Sequence, residues 1–194
     1  MAGIKLPNPV GGSPAMLRSI IFVAALFVLP TALSAPVTGP AAPMQNIYGA
    51  FTVVVTPDLD STSFGAQYQI TVRNEELVLA RLSAPYSGSL SKSFVADLNR
   101  DGAFEVVVTF TEAGTQATVI KVFSWKDDLL QPIKLAELDD QQRQGYRGDD
   151  EVAVVDGKLI RLFQIYEQRD GGWATTTAQR KLHYLFDGGR WVVD

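Results

Sequence analysis

The sequence predicts an all-β protein, an antiparallel β-sandwich of roughly 8–10 strands with at most one short surface helix. Three observations carry that expectation. Runs enriched in Val, Ile, Thr, Phe and Tyr recur from Tyr48 to the C-terminus. Two pairs of these runs flank obligate tight turns, Asp156-Gly157 and Asp187-Gly188-Gly189, which mark antiparallel hairpins. A single stretch, Leu135 to Gln144, reads helical, and it is polar and closed by Gly145.

The chain opens differently. Arg18 precedes the apolar run Ile20 to Leu29, and Pro30 and the small residues Thr31 to Ala35 follow it. A positive flank, a short apolar region and small residues in that order describe a secretory signal peptide over residues 1–35, cleaved after Ser34 or Ala35. The apolar run is shorter than the roughly 20 residues a spanning helix needs, so no membrane insertion is expected after processing. Met16 would open a more compact leader than Met1, which makes it a candidate true start. Pro-rich, uncharged residues 36–46 read as a flexible linker to one β-sandwich domain over 47–194.

Within that domain strands are expected at Tyr48 to Thr56, Gln67 to Arg73, Leu77 to Leu82, Phe94 to Ala96, Phe104 to Thr111 and Ala117 to Trp125. The second half adds Val152 to Val155, Lys158 to Tyr166, Arg180 to Phe186 and Trp191 to Val193. Alternation in Lys158 to Tyr166 sets Arg161 on one face with Leu159, Phe163 and Ile165. That places a cation in an apolar row, with snorkelling to the rim its commoner fate. Ser87 to Ser91 reads as a small-residue connection.

Composition narrows the function. Without cysteine there can be no disulfide, thiolate metal site or thiol nucleophile. Lys5 and Arg18 fall in the leader, so the remainder keeps 15 basic against 21 acidic residues, a net charge of −6. An acidic surface argues against nucleic acid and favours a basic partner. The lone histidine, His183, sits within a strand, and no Gly-x-Ser-x-Gly accompanies it, so no enzyme is expected. Arg147-Gly148-Asp149 reads as a turn.

Asp97-x-Asn99-x-Asp101-Gly102-x-x-Glu105 matches the first half of a calcium loop, with oxygens at alternate positions and a glycine at the bend. Two fillings fit it: a calcium ion held by Asp97, Asn99, Asp101 and Glu105, or backbone N–H groups in an Asx-type turn. Val108 stands where an EF-hand places its closing bidentate Glu, which favours the turn, so neither metal nor cofactor is assigned. The loop Glu112 to Thr118, between two strong strands, is the natural recognition element.

The leader, the Phe94 to Val108 segment, the Ala113-Gly114 loop and the block Gly145-Tyr146-Arg147-Gly148-Asp149 leading into Val152 to Tyr166 together resemble the bacterial periplasmic inhibitors of invertebrate-type lysozyme. The resemblance runs over Phe94 to Val193 and more weakly over Ile47 to Leu82. It implies an exported, periplasmic protein of a Gram-negative bacterium, a β-sandwich that is often a homodimer and pushes a loop into the lysozyme's substrate cleft. In the family that loop reads Ser-Ala-Gly-Ser-Gly-Ser-Tyr. Here Ala113 and Gly114 match, Thr115 keeps a hydroxyl, Gln116 and Thr118 complete the partner-binding loop, and no Tyr follows. The alternative is a non-inhibitory exported β-domain, calcium-stabilised, that binds another partner.

Overall fold

Twelve strands and one helical turn make up the described part of the chain, and every consecutive strand pair within a sheet is antiparallel. A computed structural model describes residues 42–58, 66–112, 114–187 and 190–194. The signal-peptide expectation over 1–35, the Met16 start and most of the linker lie outside these residues.

Three four-stranded meanders follow one another along the chain. The first contains β1 (Met44–Tyr48), β2 (Phe51–Asp58), β3 (Gln67–Asn74) and β4 (Leu77–Pro85); the second β5 (Ser89–Ala96), β6 (Glu105–Thr111), β7 (Thr118–Lys126) and β8 (Leu129–Ile133). After the turn α1 (Asp140–Arg143), the third contains β9 (Glu151–Val155), β10 (Lys158–Arg169), β11 (Gly172–Asp187) and β12 (Arg190–Val193). Both Asp-Gly hairpins are present as β9–β10 and β11–β12.

The all-β antiparallel fold is as expected; the described strands number twelve where roughly 8–10 were expected, and they form three sheets. Val53, Val55, Tyr68 and Ile70 of the first sheet pack against Val106, Val108 and Phe110 of the second and against Phe104, which leads into β6. On the other side of the second sheet, Val107 and Val122 meet Val152, Leu159, Tyr184 and Trp191 of the third. The middle sheet is thus covered on both faces, which explains why Val106 to Val108 form an unbroken apolar run instead of alternating. Phe104 stacks on Trp125 with ring centroids 5.7 Å apart and 7° between planes, closing one end of the first core.

Several boundaries differ from expectation for local reasons. The first run divides at the turn Gly49-Ala50, so β1 begins at Met44 inside the expected linker. β8 carries Pro132, tolerated because this strand is an edge that need not donate there. Its turn is built on Asp127 and Asp128 with φ of 52° and 58°, a left-handed pair without glycine. Ser89 to Ser91 are strand, not a connection: Leu90 is buried, and a Cβ on Gly88 would fall 2.0 Å from the Thr111 carbonyl oxygen. The short surface helix is a single turn at the C-terminal end of the expected stretch, held by an Asp139–Gln142 capping box. Leu135 to Asp139 precede it without helical structure, and Leu138 is buried with Phe163 and Leu182.

Candidate functional site

The second and third sheets meet around a buried ion pair. Arg161 on β10 places a guanidinium nitrogen 2.5 Å from Asp150 Oδ2, with side chains 10% and 0% exposed. The snorkelling fate therefore does not apply. Arg161 lies on a strand packed beneath other elements, and its partner comes from the loop before β9. Tyr146 closes the triangle: its hydroxyl accepts from Arg161 at 2.9 Å and donates to Asp150 Oδ2 at 3.0 Å. The guanidinium also faces the Thr118 carbonyl at 3.4 Å and the Tyr184 hydroxyl at 3.5 Å. Phe163 meets the Tyr146 ring edge-on at 4.8 Å.

Burial lifts the pKa of Asp150, and Arg161 only partly counters it. For Arg161 the balance is reversed. Burial pulls its pKa down, but Asp150 and the two tyrosines more than restore it, so the guanidinium stays charged. The 2.5 Å contact with two donors on one oxygen is the geometry of an ionised carboxylate.

This network fixes the loop that sequence singled out. Thr118 pairs with Thr111 at its base, and Glu112 N donates to the Ala117 carbonyl at 2.8 Å. Thr115 Oγ1 donates to Glu112 Oε2 at 2.8 Å and accepts from Ala117 N at 3.2 Å. Gly114, Thr115 and Gln116 are exposed, with Gly114 at φ 88° and Gln116 at φ 56°; Ala113 lies outside the described residues. The tip is braced from below, because Asp149 N donates to the Gln116 carbonyl at 3.0 Å. Gly148 makes that approach available: a Cβ there would sit 2.7 Å from the Thr115 carbonyl oxygen.

Next to this brace the Arg147 guanidinium lies 4.8 Å from the centroid of the Trp173 ring, and Trp173 is 51% exposed. Trp173 belongs to a ribbon of β10 and β11 that runs past the ends of β9 and β12. A bulge opposite Ile165 sets the ribbon's direction, plugged by Gln164 Nε2, which donates to the Thr176 and Ala178 carbonyls at 2.6 Å. On the other side of the network a groove of about 570 Å³ is lined by Lys121, Lys134, Leu135, Arg143 and Tyr146 among others. Trp173 falls outside the strand expected at Arg180 to Phe186, with the turn-forming pair Gly171-Gly172 before it. Strand β11 starts there instead.

The Asp97–Glu105 segment lies apart from this face. Asp97 Oδ1 and Oδ2 accept from Asp101 N and Gly102 N at 3.1 and 3.0 Å, Asn99 Oδ1 accepts from Asp101 N at 3.0 Å, and Asp101 Oδ1 accepts from Ala103 N at 2.9 Å. Glu105 is fully buried beneath that turn, with Oε2 accepting from Leu98 N at 2.8 Å. Desolvation pushes its pKa up to about 7, with Asp101 and Asp97 adding to the rise against the Leu98 and Asn99 amides. Val108 faces the first core and cannot act as a closing ligand. His183 exchanges backbone hydrogen bonds with Asp194 and joins no other candidate group.

Comparison of the chain with known protein families, with curated proteins and with solved structures finds no match.

Proposed function

We propose that this chain is an exported, non-enzymatic binding protein that blocks a lysozyme by presenting the Gly114–Thr118 loop to its cleft. The observation that carries the reading is the bracing of that loop. Its backbone is closed internally by Thr115 and Glu112 and supported by Asp149 N, and the support is held in turn by Tyr146, Asp150 and Arg161. A loop ordered before binding loses less conformational entropy on docking than a free one.

The loop has no tyrosine, yet an aromatic anchor stands beside it. Trp173 and Arg147 are of residue types enriched in interface hot spots, and Arg147 adjoins the Gly148-Asp149 brace of the loop. In this reading the loop enters the cleft while Trp173 packs on its rim. The net charge of −6 after the leader favours a basic target. Export to the periplasm belongs to the same proposal, as does homodimerisation, for which the overhanging β10–β11 ribbon offers exposed strand.

The test is a cell-wall lysis assay with invertebrate-, chicken- and goose-type lysozymes and purified protein lacking residues 1–35. Inhibition of one type, weakened by Trp173→Ala, is expected. Full lysis by all three at large molar excess rules the reading out. Such a result would favour the second reading, in which the same braced face binds a different partner, consistent with the missing tyrosine at the loop tip.

A further inference from the structure

The turn between β5 and β6 contains a buried carboxyl group that the protein alone leaves partly unpartnered. Glu105 is 0% exposed, and its Oε1 has no hydrogen-bond partner. Its other oxygen is tied to Leu98 N, which fixes the carboxyl group against the inside of the Asp97–Ala103 turn. The charged neighbours that act on it, Asp101 and Asp97, are both acidic. Among the described residues Glu105 forms no salt bridge. A buried carboxylate without a counter-charge is costly, and one facing two further carboxylates is more so. We propose that a calcium ion occupies this turn, held by side-chain oxygens of Asp97, Asn99, Asp101 and Glu105 and by the Ala103 carbonyl.

The ligand set fits a hard dication that prefers oxygen. Positions one, three, five and nine of the segment carry side-chain oxygens, and the backbone carbonyl of position seven completes five protein ligands. Calcium takes six to eight oxygens and leaves room for water, whereas magnesium demands a tighter octahedron and is held by fewer protein groups. Glu105 replaces the distant closing residue of a helix-flanked loop. Strand β6 begins at Glu105 itself, so its first side chain turns back under the turn while Val108 goes to the core.

As they stand, no three acidic side chains among the described residues are close enough to grip a metal ion. The reason is visible in the turn: both Asp97 oxygens and Asp101 Oδ1 face backbone amides. Coordination asks Asp97 to release one amide, Gly102 N or Asp101 N, and asks the free Glu105 Oε1 to turn toward the ion. These amides border solvent, so water can satisfy whichever is released.

The experiment uses protein lacking residues 1–35, first stripped with a chelator, then titrated with calcium chloride and, separately, magnesium chloride. Calorimetry reads binding and the thermal midpoint reads stability. Calcium should give one site per chain and raise Tm by about 5–10 °C at a hundredfold excess over Kd, with magnesium far weaker. Glu105→Gln and the surface variant Asp101→Asn should fold and each lose affinity at least about tenfold. No heat and no change in Tm up to about 1 mM calcium, the weak end for extracellular modules, overturns the proposal. So does a wild-type calcium response that both variants keep. The lysis assay does not enter, so this inference and the inhibitory reading can fail separately.

Discussion

Replacing Arg161 by Met leaves Asp150 as an isolated carboxylate whose side chain is 0% exposed. Two terms oppose each other in the intact pair. Each ion loses several kcal/mol of hydration, and a 2.5 Å contact in a partly shielded site returns a comparable amount. The net worth of the pair is therefore small, but removing one member leaves the other's desolvation without return, and such losses run about 3–5 kcal/mol. Against a typical total stability of about 5–15 kcal/mol, that is a large fraction. Urea unfolding of Arg161→Met should show it, while the double variant Arg161→Met with Asp150→Leu should recover most of the loss.

The pH dependence has a definite sign. Burial already lifts the Asp150 pKa in the fold, and Arg161, which counters that lift, is absent from the single variant. A carboxyl group with a folded pKa above its unfolded value of about 3.9 destabilises the fold fully above the folded pKa and not at all below the unfolded one. The gap between wild type and Arg161→Met should thus shrink as pH falls from neutrality toward about 4. A loss under about 1 kcal/mol at neutral pH, or a gap that widens on acidification, would refute the picture of a buried, ionised pair.

Other expectations follow from the same contacts. Gly148→Ala drives a Cβ to 2.7 Å from the Thr115 carbonyl at φ 96°, so it should cost about 2–4 kcal/mol and displace the loop, read by chemical denaturation and by loss of partner binding. Gly114→Ala, with φ 88° and no atom within 4 Å, should cost only about 1–2 kcal/mol in the same denaturation series. Trp173→Ala should leave Tm nearly unchanged, because the ring is half exposed, yet weaken a partner complex by about 2 kcal/mol or more in calorimetry. Phe104→Ala removes a fully buried ring stacked on Trp125 and should cost about 3–5 kcal/mol in urea unfolding.

Much of the site was legible in sequence as separate pieces. The Glu112–Thr118 loop, the Gly145–Asp149 block and Arg161 each stood out, and Glu105 was already grouped with Asp97, Asn99 and Asp101. What could not be read was their assembly. Asp150 lies eleven positions before Arg161, and the β9–β10 hairpin register that sets Arg161 opposite Val152 brings it alongside; what the pattern did not show is that packing against β7 buries the pair. Trp173 was missed because paired glycines precede it and the β10–β11 ribbon that carries it runs past the ends of its neighbouring strands.

By itself the sequence determined the fold class and the turns, since alternation, β-branched runs and Asp-Gly pairs act locally through backbone sterics and side-chain periodicity. It also ruled out disulfides, thiolate metal sites and thiol nucleophiles, because the chain has no cysteine. The tertiary structure decided that the described strands form three sheets, that Arg161 is buried rather than raised to the rim, and that Glu105 lies buried beneath an acidic turn. Those outcomes depend on which faces meet across distant parts of the chain. Burial is set by that meeting, and it turns ordinary charged residues into an internal brace and a buried, partly unpartnered carboxyl group.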